Sequence, residues 1–404
     1  MTRLSAIVAS LLVAVSSAVF TDLAVAQPNG SAEPNSRFVL DAEDAIVVVG
    51  NTFAERLAMS GYLEALIHAA HPEHRITVRQ VPWSADEAGF QPRELNVPTT
   101  EAYLREHEAD VIIACFGMSE SFAGRAGLEK FESDLRGQIE AWQAQTYNGV
   151  TPPRIVLVTP IRHEDLGVPW PTGMALRQHN ADLAAYAEVM RRVAEATGAR
   201  LVDLTSLDAA SAPFPLTSNG IHPNETGCWW YARQMGRQLG WVGDEGAADP
   251  AAIEAADNLR WRAWDKHYHF RQLYRPTNTE YIWGRRAEPF GVVNFPPEQE
   301  QLRRMVDARQ RDLWQMPKPT PEALFAKPPT GQPIWEIVPS SSTFPEDSWT
   351  PPAVKAEGTE TSLGNTEILP PDQFVRSFTL APGFTIECFA SEQDFPELAN
   401  PLAM

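Results

Sequence analysis

The chain contains five short, mainly apolar runs between residues 45 and 204. They predict strands at residues 45–49, 75–81, 111–116, 154–159 and 201–204. Most of these runs are apolar at nearly every position, which is typical of strands that are covered on both faces, as in a parallel sheet. The pattern therefore predicts a sheet with a layer of helices on each side.

The segments between the strands have the periodicity of amphipathic helices. Apolar residues recur there at spacings of three and four, which predicts helices at residues 53–66, 99–106, 128–146, 173–197 and 225–239. Strands and helices that alternate in this way imply parallel pairing and right-handed crossovers. We therefore expect residues 42–241 to form a three-layer α/β domain around a doubly wound, five-stranded parallel sheet.

The composition changes after Trp241. Residues 242–315 are rich in tryptophan, arginine and histidine, and they predict helices at residues 250–274 and 297–313, with an irregular stretch at residues 275–295 between them. We expect this segment to form a helical extension that packs on the α/β domain.

Proline-rich sequence dominates residues 316–371, where hydrophobic periodicity is lost. Such sequence is typical of an extended linker. Residues 373–390 then alternate apolar and polar positions around Ala-Pro-Gly at residues 381–383, which predicts a β-hairpin. Because a lone hairpin is marginal in water, we expect residues 372–404 to begin a β domain that this chain does not complete.

The N-terminus has the features of an export signal. Arg3 supplies a positive charge, residues 6–20 are apolar, and Ala-Val-Ala at residues 24–26 forms a cleavage site before Gln27. An uncleaved anchor is the alternative, although the apolar run is short for a transmembrane span. We therefore expect export to the periplasm or the medium, with residues 27–41 as a disordered leader.

The charge and the cysteine content of the chain argue against several classes of function. The 404 residues carry a formal net charge of −19, which argues against non-specific binding of nucleic acid through its phosphates. The spacing of Cys115, Cys228 and Cys388 fits neither a metal motif nor a disulfide framework, and a Cys115–Cys228 bridge stays an open alternative. No cofactor or metal is expected, and the sequence has no Cys-x-x-Cys-His motif for attaching haem.

Polar blocks follow four of the five predicted strands. The blocks are Gly50-Asn51-Thr52, Trp83-Ser84-Ala85-Asp86, Gly117-Met118-Ser119-Glu120 and Asn219-Gly220-Ile221-His222-Pro223-Asn224. The carboxyl ends of parallel strands meet at one edge of a sheet, which is where α/β proteins place their ligands. We therefore expect a hydroxyl from the first block and an imidazole from the last to converge on a shared cleft.

In this order, the four blocks resemble the catalytic blocks of SGNH (GDSL-type) hydrolases, over roughly residues 44–239. The resemblance implies an SGNH/flavodoxin-like fold, hydrolysis of esters, and a small ester or carbohydrate as ligand. It places Thr52 at the nucleophile position, His222 at the base position and Asn219 at the position that orients the base.

The resemblance also implies an oxyanion hole. Family members use the backbone N–H of a glycine where this chain has Ala85, which keeps that N–H if the backbone does not require a positive φ. They use an asparagine side chain where this chain has Ser119, and losing one such donor costs about 3 kcal/mol. Asn51 and Glu120 are expected to line the pocket. Capping of the following helix is the alternative role of Ser119 and Glu120.

Two further substitutions weaken the expected chemistry. The family has serine at the position of Thr52, whose methyl group crowds the attack, and aspartate at the position of Asn219, whose amide carries no charge. In a serine protease, Asp to Asn in the corresponding role lowers turnover about 10⁴-fold. Thr52 has an alternative role as the N-cap of its helix, accepting from the Glu55 N–H, and His222 as a loop histidine bonded to backbone. Catalysis is therefore expected to be weakened or lost.

Two other groups of residues are open to more than one interpretation. We interpret His163-Glu164-Asp165, after the fourth strand, as a loop that lines the cleft and not as a metal cluster, because adjacent residues rarely bind one ion together. The aromatic side chains of Trp261, Trp264 and Tyr268 have the spacing of a helix face that packs on the domain. A sugar-binding platform is the alternative.

A narrower resemblance concerns large secreted bacterial proteins. Residues 50–56 and 117–122 resemble a subgroup in which an SGNH-like domain precedes a β-propeller and a cytochrome c-like module, and residues 378–384 resemble its first propeller strands. The leading hypothesis is an exported esterase that deacetylates a polysaccharide. The alternatives are a non-catalytic ligand-binding or spacer domain, and a partner of a separate propeller or haem protein through residues 373–404.

Overall fold

The structure is a computed structural model that describes residues 37–208, 212, 214–243, 248–329, 370–380 and 383–391. The chain divides into two compact units, Met1–Pro352 and Ala353–Met404. The export signal, most of the leader and most of the proline-rich segment lie outside the described residues. Within these ranges, no helix is both long and apolar enough to cross a membrane.

A five-stranded sheet forms the centre of the larger unit. Its strands are β1 (Ala45–Gly50), β2 (Thr77–Gln80), β3 (Val111–Cys115), β4 (Arg154–Val158) and β5 (Arg200–Val202). The spatial order is β2-β1-β3-β4-β5, and every neighbouring pair is parallel. The strand order reverses between β1 and β3, which is where doubly wound sheets bind their ligands. The predicted fold class is confirmed.

Helices cover both faces of the sheet. They are α1 (Thr52–Ala58), α2 (Tyr62–Ala70), α3 (Thr100–Glu106), α4 (Met118–Ser121), α5 (Leu128–Gln143), α6 (Gly173–Thr197), α7 (Glu225–Gln238), α8 (Pro250–Tyr274), α9 (Thr279–Ile282), α10 (Val292–Gln315) and, in the smaller unit, α11 (Pro371–Arg376). Ile46 and Val48 of β1 pack on one side with α1, α2 and α7, whereas Val47 and Val49 pack on the other with α5 and α6. The strand is apolar throughout because all four side chains are at most 1% exposed.

The single helix predicted at residues 53–66 is two helices, because the chain turns at Gly61. This residue has φ +76°, and a Cβ there would lie 2.6 Å from the carbonyl oxygen of Arg260 in α8. Glycine permits both the left-handed conformation and the close approach. The break between α1 and α2 therefore depends on a helix of the extension.

The extension packs on the edge of the sheet through buried charges. Lys266 of α8 donates to Val78 O in β2 at 2.7 Å and to Gln310 Oε1 in α10 at 3.0 Å, and it forms an ion pair with the fully buried Glu64 of α2. Burial lowers the pKa of Lys266 to about 8, against the attraction of Glu64. Burial alone would raise the pKa of Glu64, but Lys266 and His68 outweigh it and lower this pKa. Each charge is therefore tolerated because of the other.

Two expected boundaries are wrong. Residues 37–41 of the expected leader pack on the domain, because Leu40 is buried and Phe38 N donates to Leu239 O at 2.9 Å. Residues 321–325 of the expected linker belong to the domain as well, because Pro321–Phe325 forms a 3₁₀ turn whose last three residues are buried in the core. Both segments contain apolar side chains that cover the edge of the domain. The prolines and polar residues around these side chains make the segments look like linkers in the sequence.

The predicted hairpin is also wrong where the structure describes it. Pro371–Arg376 is a helix, and neither residues 377–380 nor residues 383–391 contain a strand. Phe378 and Phe384 are 46% and 71% exposed, so the alternating pattern has no second layer on which to pack. Farther up the chain, Cys115 and Cys228 are both buried and free, so the alternative of a bridge between them is not realised.

Lys266→Ala should destabilise the fold strongly, because it leaves the Glu64 carboxylate buried without its main partner. We expect the free energy of unfolding, measured by urea denaturation, to fall by about 3–5 kcal/mol. Lys130→Ala is the matched control, since Lys130 pairs with Asp134 on the exposed face of α5, and its urea midpoint should stay unchanged. Equal midpoints for the two variants would contradict the role of the buried pair.

Candidate active site

The loop after β1 lies at the switch point of the sheet. Asn51 is the N-cap of α1, since its Oδ1 accepts from Phe53 N at 3.1 Å. Thr52 is the first residue of the helix, and its Oγ1 accepts from Ala85 N at 3.4 Å. The alternative in which Thr52 caps the helix through Glu55 N–H is therefore wrong. Its hydroxyl contacts the loop after β2 instead.

Ala85 holds a left-handed backbone conformation, with φ +64°. A side chain with a Cβ costs roughly 1–2 kcal/mol in this conformation, a cost that glycine does not have. Because Ala85 N–H is directed at Thr52 Oγ1, the structure brings the predicted oxyanion donor beside the predicted nucleophile.

Two arginines that the sequence does not single out brace the loop after β2. The guanidinium groups of Arg93 and Arg275 lie over the Trp83 ring, 4.5 and 4.9 Å from its centre. Arg93 also donates to both carboxylate oxygens of Asp86, at 2.8 and 2.7 Å. Such cation–π and two-point contacts hold the loop, and with it Ala85, in one conformation.

Glu55 connects α1 to this loop and to the extension. Its buried carboxylate accepts a hydrogen bond from Ser84 Oγ and forms ion pairs with Arg275 and, at 3.4 Å, with Arg271. Since α1 begins at Thr52, the same carboxylate ties the helix of the predicted nucleophile to the loop after β2. Sequence patterns do not single out Glu55, because its partners Ser84, Arg271 and Arg275 are remote along the chain.

Glu120 and Ser119, both in α4, have different environments. Glu120 Oε2 accepts from Gly117 N at 2.8 Å, which caps α4, and its Oε1 accepts from Ala88 N at 2.9 Å. Burial raises the pKa of Glu120 to about 7, although the backbone N–H groups favour its ionised form. Glu120 therefore has the capping role. Ser119 is half-buried, and its hydroxyl has no hydrogen-bond partner among the described residues.

Asn219 fixes the tautomer of His222. Its Oδ1 accepts from the backbone N–H groups of His222, at 2.9 Å, and Ile221, at 3.3 Å, while its Nδ2 lies 3.0 Å from Nδ1 of the His222 ring. An amide nitrogen only donates, so Nδ1 accepts this bond and the proton of neutral His222 resides on Nε2. If the amide were rotated by half a turn, its NH₂ group would face the two backbone N–H donors. Oδ1 therefore faces the backbone, and Nδ2 faces the His222 ring.

This tautomer is the opposite of the one that a general base needs. In a Ser-His-Asp triad the carboxylate accepts from Nδ1–H, which leaves Nε2 free to take the proton of the nucleophile. Here Nε2 carries the proton, so it can donate a hydrogen bond but cannot accept one. Burial lowers the pKa of His222, and the charge of Arg56 lowers it further against the opposing effect of Glu55, so the ring is mainly neutral near pH 7.

Thr52 and His222 are not hydrogen-bonded to each other. The charges of Arg56 and Glu55, both on α1, act on the pKa of His222, which links the ring electrostatically to the helix that begins at Thr52. Both residues belong to the described part of the chain, and no hydrogen bond joins Thr52 Oγ1 to the imidazole. Catalytic hydrogen bonds often form only when substrate is bound, so direct contact of the two groups stays a prediction.

Glu164 clamps the loop that carries His222. Its Oε1 accepts from Leu216 N at 2.9 Å, its Oε2 accepts from Thr217 N at 2.8 Å and from the Thr217 hydroxyl, and its N–H donates to Gly220 O at 2.8 Å. The residue expected to line the cleft thus positions the predicted base. The described residues contain no group of three or more His, Cys, Asp or Glu side chains arranged to hold a metal ion.

His163 packs against the same loop. Gly220 has φ +94°, and a Cβ there would lie 2.5 Å from His163 Nε2, so a larger residue does not fit. On its other side, His163 Nδ1 lies 2.8 Å from His179 Nδ1, and His179 Nε2 lies 2.9 Å from Ser121 Oγ at the end of α4. The two histidines therefore connect the His222 loop to α6 and α4.

Part of the chain matches a known family, and several solved structures are similar to it. Residues 49–230 match the GDSL-like lipase/acylhydrolase family. One similar solved structure is a gut microbial diltiazem-metabolizing enzyme, with 15% identity and a TM-score of 0.41 over 53% of this chain and 50% of that chain. Another is the psychrotrophic esterase EstA from Pseudoalteromonas sp., with 15% identity and a TM-score of 0.37 over 49% of this chain and 97% of that chain. A third is the lipase/acylhydrolase from Enterococcus faecalis, with 16% identity and a TM-score of 0.32 over 50% of this chain and 100% of that chain. The chain thus spans half the length of the first of these proteins. No curated protein matches the chain.

Glu164→Gln should loosen the loop that carries His222. An amide cannot accept hydrogen bonds at both ends, so a backbone donor at Leu216 or Thr217 loses its partner, at a cost of about 1–3 kcal/mol. Hydrogen exchange at these two amides should become faster. Glu188→Gln is the matched control, because Glu188 is 52% exposed on α6, and it should leave this exchange unchanged. Unchanged exchange in Glu164→Gln would argue against the clamp.

Proposed function

We propose that this chain, which carries a GDSL-like lipase/acylhydrolase domain at residues 49–230, is an exported hydrolase-like protein whose ester hydrolysis is strongly weakened or lost. Its ligand is an ester, such as an acetylated carbohydrate. The observation that carries the proposal is the orientation of the Asn219 amide, which keeps a proton on the His222 atom that would have to accept one. The composition of residues 1–26 supports export.

In the reaction that the family implies, Thr52 Oγ1 attacks the ester carbonyl while His222 takes its proton. With Asn219 in place, His222 must first adopt its other tautomer, which directs Nδ1–H at the NH₂ group of Asn219. The hydrogen bond at 3.0 Å is then lost and two donors face each other. The imidazolium that forms during attack also has no adjacent carboxylate to stabilise it. Both effects raise the barrier to hydrolysis without removing the binding site.

The oxyanion donors are weaker than in an efficient enzyme of this kind. Ala85 N–H bonds to Thr52 Oγ1 at 3.4 Å, a long contact that a substrate oxygen can replace. Ser119 offers one hydroxyl where the family has an amide. Removing one oxyanion donor costs about 2.7–4 kcal/mol in transition-state stabilisation. The rate is therefore expected to fall further than the affinity, because donors for a carbonyl oxygen remain.

The same geometry favours a second candidate function, a non-catalytic ligand-binding domain. The protons of the Thr52 and Ser119 hydroxyls and of His222 Nε2 have no acceptor among the described residues. A ligand with carbonyl or carboxylate oxygens supplies such acceptors. In this case the cleft holds an acyl group, or the acid released from it, and no turnover occurs.

Asn219→Asp should raise ester hydrolysis, because a carboxylate keeps both backbone bonds through one oxygen and accepts Nδ1–H through the other. The reverse change costs a serine protease about 10⁴-fold in turnover, so we expect kcat/KM for p-nitrophenyl acetate to rise by at least ~100-fold, and further with Thr52→Ser. In this variant the activity should rise with pH through the pKa of His222, since only the neutral ring is a base.

Two controls isolate the effect. Asn219→Asp combined with His222→Ala should return the rate to that of the wild type, and Asn258→Asp, on the exposed face of α8, should not change it. A folded Asn219→Asp variant without any gain would contradict the tautomer argument. A wild type that hydrolyses the ester as fast as Asn219→Asp would contradict the proposed loss of catalysis.

Export predicts that the mature protein begins at Gln27, because signal peptidase cleaves after small residues such as those at 24–26. N-terminal sequencing of the protein recovered from the periplasm or the medium should show this residue first. Recovery in the cytoplasm alone, with the first 26 residues still attached, would exclude export.

A further inference from the structure

A second cleft lies between α3 and the extension, and the blocks that carry Thr52 and His222 do not line it. Its volume is about 270 Å³, and residues of β2, α3, α8 and α10 line it together with Trp283. Small-molecule sites typically range from about 300 to 1,000 Å³, so this cleft suits a small ligand. Because α8 and α10 follow residue 230, the cleft is built largely by the part of the chain outside the family match.

Hydrogen bonds across the rim hold the cleft in shape. Asn96 Nδ2 donates to Trp283 O at 2.9 Å, which ties the segment before α3 to the residue after α9. On the other side, the Tyr103 hydroxyl donates to Tyr274 O at 3.1 Å, which ties α3 to the end of α8. A cleft whose walls are already fixed loses little free energy in rearrangement when a ligand binds.

Trp283 supplies the accessible aromatic surface of the cleft, since the other three rings of the lining, those of Tyr103, Phe270 and Tyr274, are only 1–6% exposed. Tyr274 lies edge-on to Tyr103, with ring centres 6.2 Å apart, and next to Phe270 at 5.5 Å, while Trp283 completes the set. His107 stacks on Tyr103, and burial lowers its pKa to about 3, so this ring is neutral. Its Nε2 is buried without a hydrogen-bond partner in the described part of the chain.

The charged groups of the lining balance one another. Arg79 and Arg303 are matched by Glu106 and Asp307, and Arg79 lies 3.7 Å from Asp307. Neither Glu106 nor Arg303 forms a side-chain hydrogen bond or ion pair with a described residue, so one carboxylate acceptor and one guanidinium donor remain available. A neutral ligand that both donates and accepts hydrogen bonds uses these groups, whereas the balanced charges give the cleft no net attraction for an ion of either sign.

We propose that this cleft binds one pyranose unit of a carbohydrate. A pyranose has an apolar C–H face that packs on an aromatic ring such as that of Trp283, and neighbouring hydroxyls that donate to Glu106 and accept from Arg303. The cleft offers both kinds of surface in a space that suits one ring. An apolar ligand would instead desolvate four charged side chains without replacing their hydrogen bonds. The proposal does not depend on whether Thr52 and His222 catalyse a reaction.

The test is calorimetric titration of the full chain with the methyl pyranosides of glucose, mannose, galactose and xylose. At least one should bind, and Trp283→Ala and Glu106→Gln should each weaken its binding about tenfold, through lost stacking and a lost charged hydrogen bond. Trp261→Ala is the matched control, since Trp261 is 38% exposed on α8 and outside the cleft, and it should bind with unchanged affinity. His222→Ala should also bind normally, which separates this site from the proposed active site.

Three results would overturn the proposal. The first is that folded wild-type protein binds none of the four pyranosides. The second is that acetate or methylammonium binds at the cleft and no neutral sugar does. The third is that Trp261→Ala abolishes binding while Trp283→Ala preserves it, which would place the sugar on the exposed aromatic stripe of α8. Glu106 is an exposed residue at the end of α3, so Glu106→Gln decides the matter if Trp283→Ala fails to fold.

Discussion

Two backbone N–H groups determine the chemistry of the candidate active site. Those of Ile221 and His222 both need an acceptor, so residue 219 has to present an oxygen to them whether it is aspartate or asparagine. The other polar atom of the side chain then faces the His222 ring. In an aspartate this atom accepts a hydrogen bond, whereas in Asn219 it donates one. Exchanging one oxygen for an NH₂ group therefore moves the imidazole proton from one ring nitrogen to the other.

That constraint acts because the surrounding loops are rigid. Glu164 holds the loop of His222 through Leu216 and Thr217, so the loop cannot easily move to relieve the mismatch at Asn219. On the other side of the cleft, Arg275 at the end of α8 supports both Glu55 and the Trp83 ring. The extension is thus part of the structure that positions the site, although it lies outside the family match.

The sequence predicts most of this fold, because a strand that is buried on both faces has to be apolar at every position. It predicts that the blocks of Thr52 and Ala85 meet for a related reason, since blocks that follow parallel strands lie at one edge of the sheet. The convergence of His222 with Thr52 stays a prediction. The sequence could not predict the break at Gly61, which depends on the approach of Arg260, nor could it choose between Asn51 and Thr52 as the cap, because both residue types cap helices. The sequence also could not predict the tautomer of His222, because the tautomer depends on which groups face the oxygen and the nitrogen of the Asn219 amide.

The residues Thr52, Ser119 and Asn219 each retain a polar group of a size similar to the one that the family has at that position. In the proposed function they preserve the hydrogen-bond donors of the site but leave His222 in the wrong tautomer and without an adjacent carboxylate. The proposed site therefore holds the carbonyl oxygen of an acyl group more readily than it cleaves the ester. The cleft on the extension, where Glu106 and Arg303 balance in charge beside the Trp283 ring, is the proposed site of a neutral sugar ring. An acylated carbohydrate carries both groups, so the two proposals, though tested independently, converge on one class of ligand.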